Sequence, residues 1–190
     1  MNLAEKRKDP SLSYSRENLE QALLLRIQLT RRGVGLVWDR DDLQVGDSIS
    51  EFMESVQDWP EVILLVSDSY LRSVSCMREV LAVMDGERPF LRMKPLILPS
   101  ARIFTPEGRA EYVRYWSTEY QRLQEQVAGI SGKAASRRLL EDLGILERIC
   151  EMVDEFLACL ADRYSTTDIQ QFVEHFCAEQ SHPPSPFDLQ

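Results

Sequence analysis

Few side chains in this sequence are placed to make or break bonds. The two histidines, His175 and His182, both fall near its end, so no Ser-His-Asp or Cys-His constellation is available. The four cysteines, Cys76, Cys150, Cys159 and Cys177, are scattered without a C-x-x-C pair, which excludes a zinc site and fits free thiols in a reducing compartment. Gly33-Val34-Gly35 follows a helical pattern and enters a strand, the reverse of a phosphate-binding glycine loop. Asp39-Arg40-Asp41-Asp42 lacks the remaining spacing of a calcium loop and reads as a solvated turn. What remains is Glu79, in the segment Ile63 to Glu79, where an apolar strand breaks at Ser67-Asp68-Ser69 and order resumes as a helix. In an open α/β sheet, ligands bind outside the carboxyl ends of strands, where strand passes to helix. A carboxylate delivered there can stabilise positive charge developing on a small molecule. On its own helix Glu79 lies with Ser75 along one edge of the face formed by Cys76, Val80, Val83 and Met84, the place of an ordinary surface glutamate. Its setting in the chain sets it apart.

The elements that must position it alternate. Ser11 to Ser15 predicts a short strand, and Leu19, Leu23 and Ile27 give helical periodicity up to Gly33, which sits where a helix C′ glycine belongs. Val34 to Trp38 predicts a second strand, followed by a polar loop from Asp39 to Asp47. Ser48-Ile-Ser-Glu51 is a capping box for a helix through about Gln57. Val62 to Val66 predicts a third strand, Ser73 an N-cap for a helix ending near Gly86, and Leu96 to Leu98 a fourth strand bracketed by Pro95 and Pro99. Strands apolar on both faces, alternating with helices, imply a parallel, doubly wound α/β sheet of four to five strands. Beyond Pro99 a helical extension follows. Thr105-Pro106 opens one helix, and Leu139, Leu143, Leu146, Cys150, Val153, Leu157 and Leu160 stripe the next. That stripe packs within the chain or, given its 3.5-residue repeat, forms a dimer seam. A short helix from Ile169 to Cys177 leads into a Pro-rich segment that reads as a loose tail or linker. The organisation expected is a polar leader over 1–9, one domain over 10–164, and a helix with tail over 165–190.

With 190 residues, the chain can bury roughly 70% of its unfolded surface and needs no metal or disulfide to fold. A net charge of −9 argues against a general nucleic-acid partner, which requires a basic face. The first residues lack an apolar signal core and no apolar run approaches the ~20 residues that span a bilayer, so the expectation is a cytoplasmic protein without a membrane partner.

In chain order the pieces are Ser11-Leu-Ser-Tyr-Ser15, Gly33 with Val37-Trp38-Asp39, Asp42-Leu-Gln-Val-Gly-Asp-Ser-Ile49, and Ser73-Val-Ser-Cys76-Met-Arg-Glu79. The chain resembles a TIR (Toll/interleukin-1 receptor) domain of the bacterial, NAD-cleaving type, and Ile103 to Arg109 with Tyr112, Tyr115 and Trp116 resembles the region after the fourth strand. The resemblance runs from about Ser11 to Tyr164. It implies a flavodoxin-like fold, and NAD+ as a substrate cleaved at the nicotinamide–ribose bond, with no further cofactor and no metal. It implies Glu79 as the catalytic carboxylate and a substrate cleft among Ser13, Tyr14, Ser15, Arg16, Trp38, Asp39, Leu43, Ser75 and Cys76. From placement alone, Arg16 or Arg40 is expected to meet the pyrophosphate. It further implies self-association through TIR–TIR contacts, a sensor domain or protein as partner, and a role in anti-phage defence. The alternative the resemblance leaves is a non-catalytic TIR interaction module. A third reading is a nucleoside deoxyribosyltransferase on a similar fold. Three positions depart from the family pattern: Ser75 where a tryptophan wall is usual, Ser11 for a phenylalanine, and Val45 for a proline. Tyr70, Tyr115 and Trp116 are the candidates for a replacement ring.

Overall fold

The strand expected at Ser11 to Ser15 forms as β1, Ser11–Tyr14, and its alternation decides how the rest is layered. Leu12 and Tyr14 belong to the apolar layer on one face of the sheet, so Ser11 and Ser13 point to the other. The computed structural model describes residues 9–38, 59–130, 137–163 and 166–181. A 3-10 turn, Arg16–Asn18, leads from β1 into α1, Leu19–Arg31. That helix ends in a Schellman motif. Gly33 takes a left-handed φ of 81°, its N–H donates to the Thr30 carbonyl at 3.0 Å, and Val34 N–H donates to Leu29 at 3.1 Å. The second strand is shorter than Val34 to Trp38 suggests: β2 is Val37–Trp38 only. The expected loop and helix between Asp39 and Gln57 lie outside the described residues.

Next come β3, Val62–Val66, a one-turn helix α2, Asp68–Leu71, and α3, Val74–Met84. A second short helix, α4, Pro89–Arg92, precedes β4, Met93–Ile97. Pro95 therefore lies inside the fourth strand rather than bracketing it. Proline is tolerated there because β4 is an edge strand, where a missing N–H costs no ladder bond. The long helices α5, Pro106–Ala128, and α6, Arg137–Asp162, follow, and then α7, Ile169–Ser181.

All pairings are parallel and the order is β2-β1-β3-β4, with β2 contributing two residues at one edge and β1, β3 and β4 the body. No fifth strand lies among the described residues. Beside β4 the chain instead passes Thr166, whose carbonyl accepts the Ile97 N–H at 3.3 Å. All five residues of β3 are buried, Val62, Leu64 and Val66 toward one layer and Ile63 and Leu65 toward the other. Such two-faced burial is what a parallel sheet covered by helices requires.

Two apolar layers result. One joins β3 to Met77, Val80 and Val83 of α3, Tyr112 and Trp116 of α5, and Ile149, Val153, Phe156 and Leu160 of α6. The leucine-rich stripe of α6 is thus packed within the chain from Leu146 onward. The other layer joins Leu12, Ile63, Leu65 and Leu96 to Leu25 and Leu29 of α1 and to Phe172, Val173 and Phe176 of α7. α7 is longer than the sequence suggests and is seated on the sheet, with Phe172 and Phe176 stacked at 5.8 Å. α5 starts as expected: Thr105 Oγ1 accepts the Gly108 N–H at 3.1 Å, with Pro106 in the first turn. Gly108 is required by close approach, since a Cβ there would stand 1.8 Å from the Arg102 carbonyl oxygen.

Candidate active site

Because the chain passes from β1 outward to β2 and then back across to β3, the order of winding reverses between β1 and β3. The carboxyl ends of these two strands border the crevice where open α/β sheets bind ligands. β1 delivers Ser13, Ser15 and Arg16 to this edge, and β3 hands over to Ser67, α2 and α3.

Serine caps build the β3 side. Ser67 is the N-cap of α2, its Oγ accepting the Tyr70 N–H at 2.9 Å. Its hydroxyl donates to Asn18 Oδ1 at 2.5 Å, and Ser69 donates to the same oxygen at 3.0 Å, tying the end of β3 to the start of α1. Asp68 receives both Arg72 Nε contacts at 3.1 Å and the Tyr112 hydroxyl at 2.9 Å. Ser73 caps α3, accepting the Cys76 N–H at 3.4 Å. These bonds fix where α3 begins, and so where Glu79 stands in its second turn.

Glu79 is half-buried and faces β1. The Ser13 hydroxyl, 4% exposed, donates to Glu79 Oε2 and lies 2.8 Å from the Tyr70 hydroxyl. Ser13, far in the sequence from Tyr70 and Glu79, thus joins them in one chain at the switch point. Tyr70 is sealed in the core, and its phenol is pushed well above the usual tyrosine range, first by burial and then by the nearby Cys76 and Glu79, with the Ser13 contact acting the other way.

Several expected site residues meet here and others do not. Ser13 and Glu79 touch. Cys76 is buried on the same helix and donates its thiol to the Tyr14 carbonyl at 3.6 Å. Tyr14 contributes that carbonyl, while its ring belongs to the layer on the opposite face of the sheet. Ser15 is buried at the head of the 3-10 turn, its carbonyl accepting the Asn18 N–H at 2.7 Å. Arg16 is exposed just beyond the strand end, and Ser75 is exposed on the first turn of α3. Trp38 pairs through its backbone with Leu12 at the end of β2. Asp39, Arg40 and Leu43 lie outside the described residues.

Burial decides which candidate rings can face a ligand. Tyr70 and Trp116 are both fully inaccessible, and the Trp116 indole N–H donates to the Leu71 carbonyl at 2.9 Å. Tyr115 is half-buried, bonded to the Arg72 carbonyl at 3.2 Å, with the Arg72 guanidinium 5.0 Å from its ring centre. Tyr70 and Trp116 therefore cannot stack on a ligand, and Tyr115 is engaged by Arg72.

Sequence reasoning missed the hydroxyl role of Tyr70 and the Asn18–Ser67–Ser69 knot. The Ser-Asp-Ser break signalled a turn after β3, but nothing in the spacing pointed to Asn18. A cavity of about 660 Å³ opens elsewhere, between α4, β4 and α7. Several of its polar groups already have partners: Lys94 pairs with Glu61 and Glu179, His175 Nε2 lies 3.2 Å from Glu179, and Arg163 lies over Phe90 and donates to its carbonyl. Volume alone does not make it the reactive site.

The TIR domain family profile matches residues 11–127, more than half of the chain, from β1 to the end of α5. The chain belongs to the TIR domain family. A comparison with curated proteins returns no match. Helices α6 and α7 lie beyond the TIR match, yet both pack on the TIR sheet and its helices. Among the described residues no helix is long and apolar enough to cross a membrane.

Proposed function

We propose that this TIR domain cleaves NAD+ at the nicotinamide–ribose bond, with Glu79 as the essential carboxylate. The observation that carries the reading is the contact of Glu79 with Ser13 in the crevice between β1 and β3. A carboxylate is costly to bury unless hydrogen-bonded, and Ser13 supplies a donor from the serine face of β1.

The chemistry asks little more of the protein. Nicotinamide leaves a cationic pyridinium as a neutral molecule, so strong acid assistance is unnecessary. The C1′–N bond breaks with its electron pair going to nicotinamide, and an oxocarbenium-like ribose remains, as in glycoside hydrolysis. The Glu79 carboxylate offsets the developing charge and accepts hydrogen bonds from the ribose hydroxyls. Water then adds at C1′ and loses a proton, giving ADP-ribose; capture by the adenine of the same molecule gives a cyclic product instead. Arg16, exposed beside the strand end, is the described cation suited to the pyrophosphate. By its likeness to other TIR domains, the chain acts as an assembly, in anti-phage defence, with a sensor domain or protein controlling it. Glu79→Gln keeps the shape of the side chain and removes its charge, so nicotinamide release should fall by at least about a hundredfold while the fold is retained.

One observation favours the alternative, a TIR interaction module without catalysis. Ser75 is exposed where an aromatic wall is usual, and Tyr70 and Trp116 are sealed in the core. Equal silence of wild type and Glu79→Gln toward NAD+ in a verified assembly selects that reading. Nucleoside-exchange activity in place of NAD+ cleavage selects a deoxyribosyltransferase.

A further inference from the structure

We propose that Tyr70 is a positioning residue for Glu79, acting through the Ser13 hydroxyl. Its consequence for turnover rests on the NAD+-cleavage reading, whereas the positioning itself does not.

The direction of the chain follows from counting protons. An ionised carboxylate only accepts, so the single Ser13 hydroxyl proton goes to Glu79 Oε2. The 2.8 Å contact between Ser13 and Tyr70 must then be a bond donated by the phenol to a Ser13 lone pair. Tyr70 thus fixes the rotamer of Ser13, and Ser13 fixes one oxygen of Glu79. A lone serine hydroxyl can swing among three staggered positions, and only one aims its proton at the carboxylate. With Tyr70 donating from behind, that position is the one kept. Bonds in such a chain also polarise one another, so the Ser13 proton becomes a better donor to the carboxylate.

The support behind Tyr70 is rigid. Its N–H is held by Ser67, its ring is wholly buried, and the next residue, Leu71, receives the Trp116 indole through its carbonyl. A tyrosine needed only for packing has no reason to aim its hydroxyl at the serine that holds a half-buried glutamate. Phenylalanine would fill the same volume without bringing a polar group into the core.

The test is Tyr70→Phe, read two ways on the full chain. The carboxylate stretching band of Glu79 is first assigned from the infrared difference between wild type and Glu79→Gln. It should shift in Tyr70→Phe, and shift in the same sense in Ser13→Ala, which breaks the chain from its other end. With NAD+ as substrate, Tyr70→Phe should lower kcat about tenfold and change KM by less than about twofold, because positioning acts on the transition state. A folded Tyr70→Phe with the wild-type band overturns the proposal. So does a Ser13→Ala band unchanged from wild type, which remains readable should Tyr70→Phe not fold. A shifted band in a protein that never cleaves NAD+ upholds the positioning and rejects the NAD+ reading, so the two failures are distinguishable.

Discussion

At the scale of single residues, accessibility decides which side chains can act on a ligand. Glu79 was legible as a candidate because the strand, the Ser-Asp-Ser break and the following helix could be read from apolar runs and cap residues. Its partner was not. Ser13 and Glu79 are 66 positions apart, and only the parallel pairing of β1 with β3 brings them together. The same limit explains Tyr70: it was a candidate for the replacement ring, whereas α2, a single turn invisible to periodicity, places it in the core. Ser75, by contrast, is exposed at the first turn of α3. Ser75→Trp should restore a stacking wall worth about 1 kcal/mol, lowering KM for NAD+ about fivefold with little change in kcat. Steady-state kinetics over a range of NAD+ concentrations check this, and a KM at or above the wild-type value contradicts it.

At the scale of elements, caps and glycines were the most reliable signals, because each satisfies a local backbone need. Ser73, Thr105 and Gly33 all perform the roles their positions suggest. Strand limits were less legible: Val34 to Leu36 are apolar enough for a strand, yet pairing with β1 reaches only Val37 and Trp38. β4 starts three residues earlier than its prolines imply because edge position, a tertiary property, decides whether proline is allowed. Gly144 sits inside α6, and a Cβ there meets nothing within 4 Å. Gly144→Ala should therefore stabilise the protein by about 0.5–1 kcal/mol, seen as a raised midpoint in urea unfolding without a change in slope. In the opposite direction, Thr105→Ala removes the cap of α5 and should cost about 1 kcal/mol in the same experiment.

At the scale of the whole molecule, the parallel sheet has one face closed by α3, α5 and α6 and the other by α1 and α7. The family match ends at residue 127, but the apolar layers do not. Phe176 is 2% exposed and stacks on Phe172 against the sheet, so Phe176→Ala should cost about 3–5 kcal/mol, measured by chemical unfolding. Burial also sets a pH limit. The phenol of Tyr112 is pushed up to about 12, chiefly by burial, and Tyr70 is raised as well. Both stay protonated in the folded state after the unfolded chain has begun to ionise near pH ~10. Their stabilisation is complete below that pH and is lost as pH rises from about 10 toward 12, so unfolding midpoints should decline across that window and decline less in Tyr112→Phe. Assembly belongs to this scale too, because activity that depends on self-association rises faster than protein concentration. The most direct test of the central claim is nicotinamide release from NAD+ by concentrated protein of verified assembly state, run beside Glu79→Gln. The wild type should release nicotinamide at a rate that rises more than proportionally with concentration, and the variant should lose that release. Equal rates in the two proteins, whether both silent or both active, would contradict the claim.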